Sequence, residues 1–301
     1  MKKLYGVTTA MVTPFTSEGN IDLQGVRELT EFLISKGVQC LYPLGTTGEM
    51  LRLTVEERKK VAEEVVKVAA NRVTVFIHVG AMRLEETIEL ADHAHNINAD
   101  GIGVVTPQFF GANDREIEEY FVTVASSIPK DFPMYLYSIP QCAINDITPQ
   151  IAQKIANRCE NVVGIKYSYP DFLRVNEYLQ INDGNFSVLP GADRLFLAAL
   201  AMGCDGVVSG VSSVYPEPFV SVYKDFEQND IQSARIKQKI ALQYCETLKS
   251  GADMSYFKEA LKYRGLNVGT VRKPQLTILP EELEKLKSQL LELDQKFLET
   301  V

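Results

Sequence analysis

Histidine and cysteine are scarce in this 301-residue chain, with three of one and five of the other. His93 and His95 stand two apart in a helical pattern, so they do not share a face, and His78 is isolated. No two of Cys40, Cys142, Cys159, Cys204 and Cys245 have CxxC spacing. These absences argue against a histidine-cluster metal centre, a zinc site and a disulfide framework. No apolar run approaches the length of a transmembrane helix, so no membrane partner is expected. There is also no long basic run, and the formal net charge is −8. Nucleic acid is therefore not expected as the main partner, while a small anionic substrate stays open, because local groups can attract it. Two lysines follow Met1, but Thr8, Thr9, Thr13 and Pro14 interrupt any apolar signal core, so the expected location is the cytoplasm.

What is present is alternation. Short β-rich runs at residues 5–12, 40–44, 73–78, 101–105, 134–137, 162–166, 186–189 and 206–209 are each followed by a helical pattern. Thr54 with Glu57 reads as a capping box. Asp114 reads as the cap of a helix to about residue 127, and Thr148-Pro149 opens another. Eight strand–helix units within the first 225 or so residues are the count and size of a (β/α)8 TIM barrel. An open doubly wound sheet is the competing architecture, and it rarely needs so many units in a row. Residues 230–301 are helical without strands, with a break at Val271-Arg272-Lys273-Pro274 and a restart at Pro280-Glu281-Glu282. The expected division is a barrel at 1–229 and a C-terminal helical extension at 230–301 packed on it.

In such a barrel, chemistry gathers at the C-terminal ends of the strands. The sixth run, Val162-Val163-Gly164-Ile165-Lys166, ends on a lysine. Burial disfavours an ammonium group, and the neutral amine is a nucleophile that forms Schiff bases with carbonyl compounds. Taken alone, a solvated strand end is the simpler reading of Lys166, and core packing the simpler reading of Tyr137. The loop Gly45-Thr46-Thr47-Gly48, alone, is an ordinary turn. Together at strand ends they describe an amine, a proton carrier and a cradle of N–H groups and hydroxyls suited to a carboxylate. That combination fits a 2-oxo acid.

With these residues in view, the chain resembles the dihydrodipicolinate synthase / N-acetylneuraminate lyase family of pyruvate-dependent class I aldolases. The resemblance covers nearly the whole chain. It is carried by Gly6-Val7-Thr8-Thr9-Ala10 with Thr13-Pro14-Phe15, Gly45-Thr46-Thr47-Gly48-Glu49, Tyr137-Ser138-Ile139-Pro140, Gly164-Ile165-Lys166, Gly203-Cys204-Asp205-Gly206-Val207-Val208-Ser209-Gly210 and Val271-Arg272-Lys273-Pro274. It implies that Lys166 forms the Schiff base with pyruvate, that Tyr137 transfers protons, and that Thr46 and Thr47, with Gly48, hold the pyruvate carboxylate. It further implies that the Val208 backbone faces bound pyruvate, that Gly191 sits at the rim, and that the protein is a homotetramer built as a dimer of dimers.

The departures bear on the second substrate. Family members that make dihydrodipicolinate carry a tyrosine pair after the fourth strand's Thr-Pro, where this chain has Gln108 and Phe109. They also carry an arginine five residues beyond the strand-five tyrosine, where this chain has Cys142, which offers no bidentate charged contact. Phe76-Ile77-His78-Val79-Gly80 is closer to the lyases, yet Arg194 stands where sialate lyases have an acidic residue. Arg194 could meet an acidic group of a substrate or form a surface salt bridge.

The expected activity is reversible aldol cleavage of a 2-keto-3-deoxy acid to pyruvate and an aldehyde. The protonated imine is the electron sink, so neither a metal nor an organic cofactor is required. Ser168, Ser209, Ser212 and Ser213 are candidates for substrate hydroxyls, although serine is also the commonest filler of loops. The alternatives are condensation of pyruvate with aspartate semialdehyde, dehydration of a keto-deoxy sugar acid, and a non-catalytic barrel that senses a 2-oxo acid.

Overall fold

The computed structural model describes residues 1–300. Eight parallel strands alternate with helices from β1 (Gly6–Ala10) and α1 (Leu23–Ser35) through β2 (Cys40–Tyr42), α2 (Val55–Ala69), β3 (Thr74–His78), α3 (Leu84–Asn96), β4 (Gly101–Val105) and α4 (Asp114–Ser126). The series continues with β5 (Met134–Ser138), the one-turn α5 (Pro140–Ala143), α6 (Pro149–Arg158), β6 (Val162–Tyr167), α7 (Phe172–Tyr178), β7 (Ser187–Pro190), α8 (Phe196–Met202), β8 (Gly206–Ser209) and α9 (Pro216–Glu227). Three further helices follow: α10 (Ile231–Thr247), α11 (Met254–Tyr263) and α12 (Pro280–Leu298). Val301, the last residue of the expected extension, lies outside the described residues.

The strands pair in the order β7-β6-β5-β4-β3-β2-β1-β8. The sheet curls until its edges meet: the Asp205 N–H, just before β8, donates to the Val188 carbonyl of β7 at 3.1 Å. This is the expected (β/α)8 barrel, closed enough that neither edge strand is left as a free template. Side chains alternate by strand period. Leu41, Ile77, Val104, Leu136, Ile165 and Val207 join the large cluster shared with the helices. Ala10, Tyr42, Phe76, Tyr135, Leu189 and Val208 form a separate cluster that fills the barrel.

Local chemistry sets the helix starts. Thr54 and Glu57 form the expected capping box, at 3.2 and 2.9 Å. Thr148 caps α6, accepting from the Ile151 N–H at 3.3 Å with Pro149 in the first turn. At α4 the cap is Asn113, one residue before the expected Asp114: Asn113 Oδ1 accepts from the Glu116 N–H, and Glu116 reaches back to the Asn113 N–H. Both residue types are good caps, and the reciprocal bond to Glu116 selects Asn113. One further expectation is corrected: β2 stops at Tyr42, because Leu44 turns the chain with φ +67°. After β7 a short 3-10 turn, Asp193–Leu195, precedes α8.

Candidate active site

Strand register brings Tyr137 and Lys166 together. They are direct neighbours across β5 and β6, and both belong to the inward-facing set of their strands. Both are nearly closed to solvent, at 1% and 4% exposure. Lys166 Nζ lies 3.9 Å from the centroid of the Tyr137 ring and 4.9 Å from that of Tyr42. Electron-rich ring faces attract an ammonium group without neutralising it as a carboxylate does. The Tyr137 hydroxyl meets Thr46 Oγ1 at 3.2 Å, so the loop after β2 converges on the same point.

That loop is held from below. Thr13 Oγ1 donates to the Gly48 carbonyl at 2.7 Å. A Cβ at Gly48 would stand 3.0 Å from the Leu44 N and 3.1 Å from the Met11 carbonyl oxygen, so only glycine allows this tight fold without displacement. Thr47 lies against Gly210, its Oγ1 3.1 Å from where a Cβ would be. The β2 and β8 loops therefore touch at the mouth of the barrel. The amine, the phenol and the two threonines share one end of the barrel, the C-terminal end of the strands.

Residues 3–293 match the model of the dihydrodipicolinate synthetase family. The chain is a member of that family. Its members are pyruvate aldolases and lyases, and this chain is such an enzyme. It is 36% identical over 230 residues to 4-hydroxy-tetrahydrodipicolinate synthase of Aquifex aeolicus, covering 76% of this chain and 77% of that one. It is 31% identical over 287 residues to the probable 2-dehydro-3-deoxy-D-pentonate aldolase YjhH of Escherichia coli K12, covering 94% of each. Among solved structures it resembles YagE, a family member from E. coli K12 in complex with pyruvate. The TM-score there is 0.90 and the identity 30%, over 96% of this chain and 98% of that one.

The remaining family positions fall around the same mouth. Val208 sits on β8, paired with Thr8 of β1. Gly191 follows β7, and a Cβ there would stand 1.9 Å from Ser168 Oγ, so the two loops pack without room for a side chain. The Ser168 carbonyl accepts from Gln141 Nε2 at 2.6 Å. The serines after β8 do not fit the expectation of substrate contacts. Ser212 Oγ is bonded to Thr9 Oγ1 at 2.8 Å, Ser213 Oγ accepts from the Val12 N–H at 3.1 Å, and Ser209 Oγ accepts from the Ser212 N–H at 2.9 Å. All three are closed to solvent: Ser212 and Ser213 tie the β8 loop to β1 and the residues just after it, and Ser209 bonds within the loop. Arg194 reaches Ser250 Oγ at 3.1 Å rather than forming a surface salt bridge.

Several site-shaping groups were not singled out from the sequence. Burial raises the Asp193 carboxyl to about 6, against the opposing pull of the Val211 N–H, Ser209 and the Lys166 charge. Burial, with the charges of Arg58 and Lys166, holds His78 well below its ordinary value, so this imidazole is neutral. Its Nδ1 contacts the Leu44 carbonyl at 3.0 Å. Arg58, also buried, donates to the His78 and Gly80 carbonyls at 2.8 and 2.9 Å, pinning the exit of β3. Glu49, next to the threonine loop, is paired with Lys258 of α11 at 3.1 Å, both side chains 1% exposed. Lys258 lies on the apolar face of α11, four residues after Met254 and three before Leu261. A lysine at that spacing was the legible signal.

Proposed function

We propose that this enzyme catalyses reversible aldol cleavage of a 2-keto-3-deoxy acid through a pyruvate Schiff base on Lys166. The lysine amine adds to the 2-oxo carbon and water leaves, giving a protonated imine. In cleavage, Tyr137 takes the proton from the C4 hydroxyl as the C3–C4 bond breaks. The bonding pair enters the imine to form an enamine, and an aldehyde departs. Protonation of the enamine and hydrolysis release pyruvate and restore the amine. Thr46 and Thr47 hold the carboxylate with the backbone at Gly48, the Val208 backbone faces the bound pyruvate, and Gly191 and Ser168 border the site.

The observation that carries this reading is the 3.9 Å approach of Lys166 Nζ to the Tyr137 ring, with the same phenol's hydroxyl 3.2 Å from Thr46. The synthase alternative has less support here. Cys142 lines the mouth beside Gln108 with no charge to offer a second carboxylate, and Phe109 is 74% exposed. A homotetramer and a cytoplasmic location belong to the same proposal. The first rests on the family resemblance, the second on the composition.

Enamine formation is testable without knowing the aldehyde. In heavy water the protein is expected to exchange the methyl protons of pyruvate for deuterium, followed by NMR. A barrel that only binds 2-oxo acids gives no exchange above the buffer rate, and that result contradicts the proposal.

A further inference from the structure

A cavity of about 190 Å³ opens directly beside Tyr137 and Thr46. Its wall is apolar: Met50, Leu51, Val105, Ile139 and Ala143 line it. Four of these five, all but Leu51, form one buried cluster with Tyr137 itself, so the apolar wall packs against the phenol.

The polar groups on the wall are mostly committed. Thr46 is bonded to the Tyr137 hydroxyl. Glu49 is paired with Lys258 and accepts from the Arg272 N–H at 3.2 Å. Arg52 is the one cation on the wall, and it donates to Glu49 at 2.9 Å and to Gln275 at 2.9 Å. Its charge is only partly offset, because Glu49 is shared with Lys258. Gln108 is different: the residue lines the cavity, and its Nε2 is buried beside it with no hydrogen-bond partner.

This wall disfavours the two aldehyde classes that the relatives' names bring to mind. A carboxylated aldehyde loses hydration on entry and meets only Arg52, which is already bonded to Glu49 and Gln275. A polyhydroxylated one needs several partners, and the wall offers one free amide. An apolar cavity of about 150 Å³ is large enough for a benzene ring.

We propose that the acceptor aldehyde carries an uncharged, mainly apolar substituent of about ring size, with one hydrogen-bond acceptor that meets the Gln108 amide. This rests on the pyruvate enamine on Lys166. The enamine carbon attacks the aldehyde carbon, forming the C3–C4 bond. The carbonyl π pair becomes an alkoxide and takes the Tyr137 proton. Water then hydrolyses the imine, releasing a 4-hydroxy-2-oxo acid with an apolar tail and regenerating the Lys166 amine. The water released on imine formation balances the one consumed.

The test uses the full-length protein with pyruvate and five aldehydes: benzaldehyde, 4-hydroxybenzaldehyde, 3-methylbutanal, glyceraldehyde and aspartate semialdehyde. Initial rates of addition give kcat/KM for each. The first three are expected to exceed the last two by about tenfold or more, the scale at which pocket contacts discriminate. Gln108→Leu is expected to lower kcat/KM for 4-hydroxybenzaldehyde about tenfold more than for benzaldehyde. The inference is overturned if glyceraldehyde or aspartate semialdehyde equals the apolar aldehydes, if none is turned over, or if Gln108→Leu affects both benzaldehydes equally. Borohydride trapping of pyruvate on the unmodified protein separates the two levels. A trapped adduct with the wrong order of aldehydes overturns only the acceptor inference, whereas no adduct overturns the aldolase reading with it.

Discussion

In the proposed mechanism Tyr137 has one task, carrying a proton to and from oxygen. Tyr137→Phe keeps the ring that packs against Lys166 and removes only the hydroxyl. Loss of a positioned acid–base group costs about a hundredfold to ten-thousandfold in rate, so kcat is expected to fall within that range. Steady-state kinetics of pyruvate proton exchange provides the measurement, and the folded state should be retained by circular dichroism. Asp193 acts differently, through charge. Its carboxyl titrates at about 6, raised by burial, so the folded chain holds this proton more tightly than the unfolded one. The group's contribution to stability therefore falls as pH rises from the ordinary carboxylate range through 6. Above that pH it is an anion in the field of Lys166. An acid limb near pH 6 is expected in kcat/KM for pyruvate, and Asp193→Asn should remove it.

Among the elements, α11 controls the threonine loop from the opposite side of the sequence. Lys258 Nζ donates to the Thr13 and Thr270 carbonyls at 2.8 Å each and pairs with Glu49. Removing one partner of a buried pair costs up to about 3–5 kcal/mol, and less here because Arg52 still reaches Glu49 at 2.9 Å. Lys258→Met is thus expected to lower stability by less than that in urea unfolding and to raise KM for pyruvate more than it lowers kcat. The double variant with Glu49→Gln should recover part of the stability. Burial brings Lys258 down from 10.5 to about 8, with Glu49 opposing the shift. Between those values the unfolded chain keeps the proton that the folded chain has lost. The group's contribution to stability therefore rises with pH across that window. The loop moves the other way, because Glu49 loses one of its two counter-charges. KM for pyruvate should climb above pH 8 in the parent and not in Lys258→Met. None of this was legible locally. Lys258 and Thr13 are 245 positions apart, and a helical pattern shows that a lysine faces the core without showing what it meets there.

At the scale of the whole molecule, the barrel was readable because strand and helix periods alternate eight times and the strands are mostly apolar. The lysine and tyrosine became interpretable once the alternation placed them on neighbouring strand ends. Direct register of Tyr137 with Lys166 then followed from parallel pairing. The serines after β8 misled because a hydroxyl that binds substrate and one that ties Thr9 or Val12 look the same in sequence. Asn113 and Asp114 are equivalent caps until Glu116 chooses between them. The proposed dimer of dimers also belongs to this scale. The exposed rings of Phe109 and Phe110, 5.0 Å apart, are an apolar surface available to a second copy. Sedimentation velocity should show a particle of four chains, and Phe109→Asp with Phe110→Asp should reduce it. The central claim, an imine on one particular lysine, has the most direct test. The protein is incubated with pyruvate, reduced with borohydride, digested and mapped by mass spectrometry. One reduced pyruvate on the peptide containing Lys166, absent in Lys166→Arg, is the expected result. An unmodified Lys166, or an adduct on another lysine that survives in Lys166→Arg, would contradict it.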